Sequence, residues 1–513
     1  MSEAAEAPVP YRLRVIGLFA GPVLAAIVLL APRPADLTPE AQRVAAVAVL
    51  MGIWWVTEAI PIAAASLVPL IAFPLLNVMK SSDTALCYGD STIFLFAGGF
   101  FIAMAMQQWR LHERIALHII RRTGTNPRRL LLGFMIATAF ISMWISNAAT
   151  TMMMIPIALA VIQQFEKDRG AAWVAPFATA VMLGIAYASS IGGVATIVGT
   201  APNVLFLGQM AKLFPDAPRI TFGQWVLFGV PLAVLFIPVT WWILARWIYK
   251  LPGGADADAD GAAMIDARLR QLGTPSRGEK IVGVVFLLTA LAWVFRKEIP
   301  IGDVLIPGWS DVLPNPEVVD DSTVAVMGAL ALFVIPVSLR EGKFALEWEW
   351  ARQIPWGILL LFGGGLALAK GFNDTKLVDW AGDRLAFIKG THPLVMIFLI
   401  CASVVALTEF MSNTALTMLM VPVLAVTATS VLDVHPLFVL VPAVMSASLG
   451  FMMPAGTPPN ALVFGTGYVT IPQMMRTGFI LNVIAVFLVT LLAYFVIVPV
   501  FQMDFTTIPE WAR

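Results

Sequence analysis

Apolar runs near the ~20 residues that cross a bilayer recur along the whole chain, at 15–31, 42–76, 130–165, 171–211, 224–249, 281–295, 323–339, 393–432, 436–465 and 477–503. This feature constrains the fold most, because hydrocarbon offers no hydrogen bonds and each run must satisfy its own backbone. Only 12% of the residues are charged, where a soluble chain would carry roughly a quarter. Several runs exceed one crossing and are broken by Gly or Pro, which predicts ten to twelve crossings plus re-entrant segments. The chain reads as an all-α polytopic membrane protein.

Formal net charge is zero, so the global balance points to no nucleic-acid partner. Local charge says more. Residues 110–129 hold six arginines against Glu113 alone, whereas 297–321 set Lys297 against Glu298, Asp303, Asp311, Glu317, Asp320 and Asp321. The positive-inside bias places 110–129 in the cytoplasm, and the acidic segment is compatible with the outside. Arg12 and Arg14 place the N-terminal arm in the cytoplasm too. Run 15–31 exceeds a signal-peptide core and reads as a retained helix. Cys87 and Cys401 form no metal or disulfide pattern. The histidines at 112, 118, 392 and 435 lack ligand spacing and read as interfacial or structural.

The chain also repeats itself. "WISNAATTMMMIP" (144–156) and "EFMSNTALTMLMVP" (409–422) share a Ser-Asn step, a downstream threonine and a proline. Ser146 and Ser412 lie 412 − 146 = 266 apart, and Asn147/Asn413, Pro156/Pro422 and Ser142/Thr408 keep that offset. "FLFAGGF" (94–100) and "LLFGGGL" (360–366) align at 266 through Phe96 and Phe362; "VGTAPNVLFLG" (198–208) matches "AGTPPNALVFG" (455–465) at 456 − 199 = 257. Three matches in one order define two repeats. The expected organisation is an N-terminal arm and first helix (1–40), a first repeat (41–250), a polar connector (251–279) read as mobile, and a second repeat (280–513). An odd number of crossings per half would invert the second, a common plan of secondary transporters.

Ser, Asn and Thr at membrane depth must find partners. One Ser-Asn pair could be helix–helix glue; a duplicated one joined to a duplicated Gly-Thr-x-Pro-Asn points to a binding site. The proline removes an N–H and disfavours helix before it, so the stretch interrupts a membrane helix. Freed carbonyls then suit a hard cation such as Na⁺, while half-helix N-termini suit an anion. No Lys or Arg occurs in 130–166, 171–211 or 391–475. A dianion there needs compensating charge, which bound Na⁺ would supply. Glu58 and Glu409 are weighed as proton relays against carboxylates that accept backbone N–H groups at helix ends, and the second reading is preferred. The twin glycine motifs read as close packing or a hairpin bend, since they lack the Lys-Ser/Thr of a phosphate loop. An integral-membrane enzyme would need paired acids, a histidine cluster or a Ser-His arrangement, which the repeated segments do not offer; an ion channel fits inverted repeats less well.

"WWVTEAIP" (54–61), the paired Ser-Asn motifs and the paired GT-x-PN stretches resemble the divalent anion–sodium symporter family. The resemblance implies a homodimer, a scaffold and a transport domain per protomer, about eleven membrane helices, two opposed re-entrant hairpins and elevator-type access. It places a first sodium site at Ser142, Ser146, Asn147 and Gly199, and a second at Thr408, the Met411 carbonyl, Asn413 and Gly456. The substrate would lie between Ser146-Asn147 and Ser412-Asn413-Thr414, near Thr200, Thr457 and Pro458. The family motif is Ser-Asn-Thr in both halves, whereas the first here reads Ser146-Asn147-Ala148. The expected function is sodium-coupled symport of C4-dicarboxylates across a bacterial plasma membrane. The alternatives are citrate or sulfate symport, or sodium-independent exchange.

Overall fold

The computed structural model describes residues 11–124, 126–252, 258–301, 304–377, 380, 392–504 and 507–512. Residues 1–10 of the expected arm and 253–257 of the expected connector lie outside them.

The first half contains α1 (Tyr11–Leu30), α2 (Pro39–Thr57), α3 (Ile62–Ala65), α4 (Val68–Leu75), α5 (Ser81–Leu86), α6 (Ser91–Gln108), α7 (Leu111–Thr123), α8 (Pro127–Ser142), α9 (Asn147–Arg169), α10 (Ala171–Val194), α11 (Ala201–Leu213) and α12 (Phe222–Trp242). After α13 (Asp258–Leu272) come α14 (Arg277–Val294), α15 (Asp321–Val334), α16 (Trp348–Ala351), α17 (Trp356–Asp374), α18 (Pro393–Thr408), α19 (Asn413–Val426), α20 (Pro436–Ala447), α21 (Pro458–Phe464) and α22 (Ile471–Leu492). Two short antiparallel strand pairs, Ile299–Ile301 with Val304–Ile306 and Pro336–Ser338 with Lys343–Phe344, are the strands among the described residues. Local chemistry sets the helix starts. Thr38 and Asn126 cap α2 and α8 just ahead of a proline. Thr221 with Gln224, and Ser276 with Glu279, close reciprocal capping boxes on α12 and α14.

Among the described residues eight helices are long and apolar enough to cross a membrane. Others are shorter: 62–75, 321–334, 393–408 and 436–447 are apolar but 10–17 residues long. At 1.5 Å per residue such pieces fall short of a hydrocarbon core. They are where long apolar runs break into hairpin arms and half-helices.

Within each half the same local plan recurs. Helix α10 packs on both α8 and α9, and α20 packs on both α18 and α19. The short pieces beyond the breaks then cross over: α11 packs on α19 and α20, while α21 packs on α9 and α10. Gln209 of α11 ties this exchange by donating from Nε2 to the Met418 carbonyl of α19 at 3.0 Å.

The glycine motifs lie inside the continuous helices α6 and α17, so of the two expectations close packing holds and a bend does not. A Cβ on Gly98 would stand 2.7 Å from the Ala325 backbone of α15, and one on Gly364 2.4 Å from the Ser66 carbonyl. Phe96 and Phe362 meet with ring centroids 5.2 Å apart.

Within the expected connector, residues 258–272 form α13, fastened to α7. Arg268 Nε donates to Glu113 at 2.8 Å, Arg121 Nε lies 2.8 Å from Asp266, and Arg114 meets Glu279 of α14 at 2.8 Å. Arg114 Nη1 also donates to the Gly273 carbonyl at 3.0 Å. An Ala- and Arg-bearing segment is a competent helix former, and charges on α7 give it a place to dock.

Gly98→Val should force α6 from α15 and lower stability by about 1–3 kcal/mol, the usual cost of overpacking. Thermal denaturation of the purified protein checks this.

Candidate functional site

Two helical hairpins carry the Ser-Asn motifs at their tips. In the first, α8 ends at Ser142 and α9 begins at Asn147; in the second, α18 ends at Thr408 and α19 begins at Asn413. Ser142 and Thr408 are fully buried. The Asn147 side-chain oxygen lies 2.8 Å from Ser142 Oγ, 3.1 Å from the Ser189 carbonyl and 3.3 Å from the Gly199 carbonyl. The Asn413 oxygen lies 2.5 Å from Thr408 Oγ1, 3.0 Å from the Ala447 carbonyl and 3.2 Å from the Gly456 carbonyl.

Three carbonyl-type oxygens with no hydrogen between them repel. Two things relieve that: a cation among them, or a half-turn of the amide that presents its nitrogen to the carbonyls. These donors are neutral oxygens, the type that hard cations prefer. Among the described residues no cluster of three or more His, Cys, Asp or Glu could hold a metal. The donor sets therefore fit the sodium ions expected from sequence.

The breaks in α10 and α20 supply the backbone half of each cluster. Residues 195–200 separate α10 from α11, and 448–457 separate α20 from α21. Asn203 Nδ2 donates to the Thr196 carbonyl at 2.8 Å and the Gly193 carbonyl at 3.5 Å. Asn460 Nδ2 donates to the equivalent carbonyls, Met453 at 3.0 Å and Gly450 at 3.3 Å. Each asparagine thus meets carbonyls that the break leaves without ladder partners. Thr196 Oγ1 donates to the Met143 carbonyl and accepts Gly199 N–H at 3.2 Å. Glycine is required by close approach: a Cβ on Gly193 would sit 2.1 Å from Asn147 Oδ1, and one on Gly199 2.4 Å from the Gly193 carbonyl.

Ser146 and Ser412 stand at the N-caps of α9 and α19 with no side-chain cap bond. Their half-buried hydroxyls are thus not committed to their own helices, beside N–H groups that favour anions. Thr200 at the N-cap of α11 is likewise uncommitted, whereas Thr457 accepts the Asn460 N–H at 3.4 Å. Thr414 and Pro458 are half-buried in the first turns of α19 and α21.

The structure brings together Ser142, Asn147 and Gly199, and separately Thr408, Asn413 and Gly456. Ser146 and Met411 sit in the tips; among the described residues no hydrogen bond joins the Ser146 hydroxyl or Met411 carbonyl to either cluster. The carbonyls of Ser189 and Ala447 were missed, as were the supporting roles of Thr196, Asn203 and Asn460. Only the two asparagines left a signal, as the last letter of GT-x-PN.

Glu409 follows the preferred helix-end reading. Its carboxylate accepts the N–H groups of Phe451, Met452 and Met453 at 2.7, 2.9 and 2.9 Å. At Glu58 the carbonyl is engaged instead, accepting from Arg14 Nε at 2.9 Å.

Asn203→Leu and Asn460→Leu should each lower stability by roughly 2–4 kcal/mol, since each leaves two or more carbonyls unpaired. Thermal unfolding with and without Na⁺ measures it.

The model of the sodium:sulfate symporter transmembrane region matches residues 13–501. The chain is 40% identical over 503 residues to the sodium-dependent dicarboxylate transporter SdcS of Staphylococcus saprophyticus, covering 96% of this chain and 93% of that protein. The SdcS protein of Staphylococcus aureus (strain bovine RF122) is 38% identical over 501 residues, at 96% and 92% coverage. Two solved structures share the fold. The YdaH transporter of Alcanivorax borkumensis has a TM-score of 0.55 at 14% identity, covering 96% of this chain and 99% of that one. MtrF of Neisseria gonorrhoeae gives 0.55 at 12% identity, with 96% of each chain covered. With a match that runs nearly end to end, the chain belongs to the sodium:sulfate symporter family, the divalent anion–sodium symporters that its paired motifs resemble.

Proposed function

We propose that this chain is a sodium-coupled symporter of C4-dicarboxylates such as succinate, malate and fumarate in a bacterial plasma membrane. One observation carries the reading: in both hairpin tips an asparagine amide meets one hydroxyl and two backbone carbonyls at 2.5–3.3 Å. Two such neutral cages, matched by the 266-residue offset of Asn147 and Asn413, suit two monovalent cations. Their charge would offset a dianion that finds no Lys or Arg in the segments forming the cages. The family membership and the SdcS relatives support sodium and a dicarboxylate as the co-transported pair.

In this mechanism Na⁺ enters each cage and holds the asparagine amides oxygen-inward. That fixes the starts of α9 and α19. The dianion then docks between Ser146-Asn147 and Ser412-Asn413-Thr414, with Thr200, Thr457 and Pro458 lining its ends. Ala148 stands where the second half has Thr414 and gives one hydroxyl fewer to the first carboxylate. The protomer works within a homodimer, and the hairpins with α10, α11, α20 and α21 move as one loaded body past the rest.

Asn147→Ala and Asn413→Ala should abolish sodium-driven succinate uptake into proteoliposomes while leaving folded protein; wild-type uptake in either variant rejects the cages. Replacing Na⁺ by choline should do the same to the unaltered protein. Equal uptake in choline would favour exchange, and a competition panel with citrate and sulfate separates the anions. Ser146→Ala and Ser412→Ala should each raise the succinate KM about ten- to hundredfold, the loss of one charge-assisted hydrogen bond, with a smaller change in the sodium requirement.

A further inference from the structure

Hairpin tip and broken helix are fastened together at the same point in both halves, by different chemistry. Met143 and Glu409 occupy equivalent places in the tips (409 − 143 = 266), and Thr196 and Met453 in the breaks (453 − 196 = 257). In the first half the fastening is one neutral bond, from Thr196 Oγ1 to the Met143 carbonyl. In the second, the Glu409 carboxylate gathers four groups. It accepts Phe451 N at 2.7 Å, Met452 N at 2.9 and 3.1 Å, and Met453 N at 2.9 Å. Asn482 Nδ2 of α22 completes the set at 2.6 Å.

Glu409 is 3% exposed, and among the described residues no Lys, Arg or His forms an ion pair with it. It directly follows Thr408, whose hydroxyl meets Asn413, and a Cβ on Gly456 would lie 3.0 Å from Glu409 Oε2. One side chain therefore fixes the backbone leading to Gly456 and sets a negative charge beside the second cage. At the first cage the backbone at Gly199 is held by one neutral contact, Gly199 N–H to Thr196 Oγ1 at 3.2 Å, and among the described residues no carboxylate takes the place of Glu409.

We propose that Glu409 is a positioning residue that pre-builds the second cation cage, so that sodium fills it first and the first cage forms only afterwards. This rests on the sodium reading above. A site ordered in advance binds at its intrinsic affinity, whereas one that the ligand must order binds more weakly by the cost of ordering it. A buried anion nearby adds attraction that water does not screen away.

The test is hydrogen exchange, followed by mass spectrometry, on the full-length protein in detergent, with Na⁺ titrated against choline at constant ionic strength. In choline alone, peptides covering 451–453 should exchange about tenfold or more slowly than those covering 195–199. Protection of 447–457 should reach half its maximum at a Na⁺ concentration several-fold lower than protection of 195–200. In Glu409→Gln, the second midpoint should rise roughly tenfold, the scale of losing one partly screened charge, and the order should vanish or reverse. Coincident or reversed midpoints in the unaltered protein overturn the proposal, whether or not the variant folds. An unchanged second midpoint in folded E409Q also overturns it. No sodium response in either segment would instead overturn the sodium reading, and this inference with it.

Discussion

A helix broken inside hydrocarbon leaves amides and carbonyls that no water can reach, and the rest of this structure depends on how those groups are met. Asn203 and Asn460 answer for the carbonyls, each bridging the end of one half-helix and the turn that follows it. Thr196 and Glu409 answer for the attachment of the break to its hairpin. Only when the breaks are held open in this way do the Gly199 and Gly456 carbonyls face Asn147 and Asn413. The polar residues in these apolar runs are thus of two kinds. Some line the cages, and others let the backbone depart from helix at a depth where departure is costly.

Neutrality of the cages sets the chemistry of what enters. Hydroxyl, amide and carbonyl oxygens offer a cation partial charges and no formal charge of their own, so a cation would add its full positive charge to the cage it fills. The uncommitted Ser146 and Ser412 hydroxyls lie at the adjoining helix starts. In the proposed mechanism, filling the cages prepares the place where an anion finds both hydrogen bonds and charge. A permanent arginine there would hold the anion in the absence of a cation, and the coupling would be lost.

Much of this was legible in the chain. Ser-Asn steps, GT-x-PN stretches and their shared offsets located both tips and both breaks, because Pro and Gly mark backbone that cannot continue as helix. The carbonyls of Ser189 and Ala447 were not legible, since a backbone oxygen has no residue type to betray it. Thr196, and its equivalence to Glu409, escaped for a different reason. The halves perform one task with a hydroxyl in one and a carboxylate in the other, so comparing the repeats hid the equivalence. The helix within the connector was not legible from composition. Its Gly, Ala and Asp suggested a free chain, but α13 is held by charges on α7 more than a hundred residues earlier. Such long-range pairing leaves no local pattern.

The crossing of α11 and α21 between halves bears on biosynthesis. Walls of α9 and α10 that receive α21 stay uncovered until residues 458–464 have left the ribosome, when most of the polypeptide is already made. A nascent chain released before that point leaves those faces of α9 and α10 without their α21 cover. Such a fragment would be a natural substrate for membrane quality control, and insertion of the final helices becomes the step that commits the molecule to its native form.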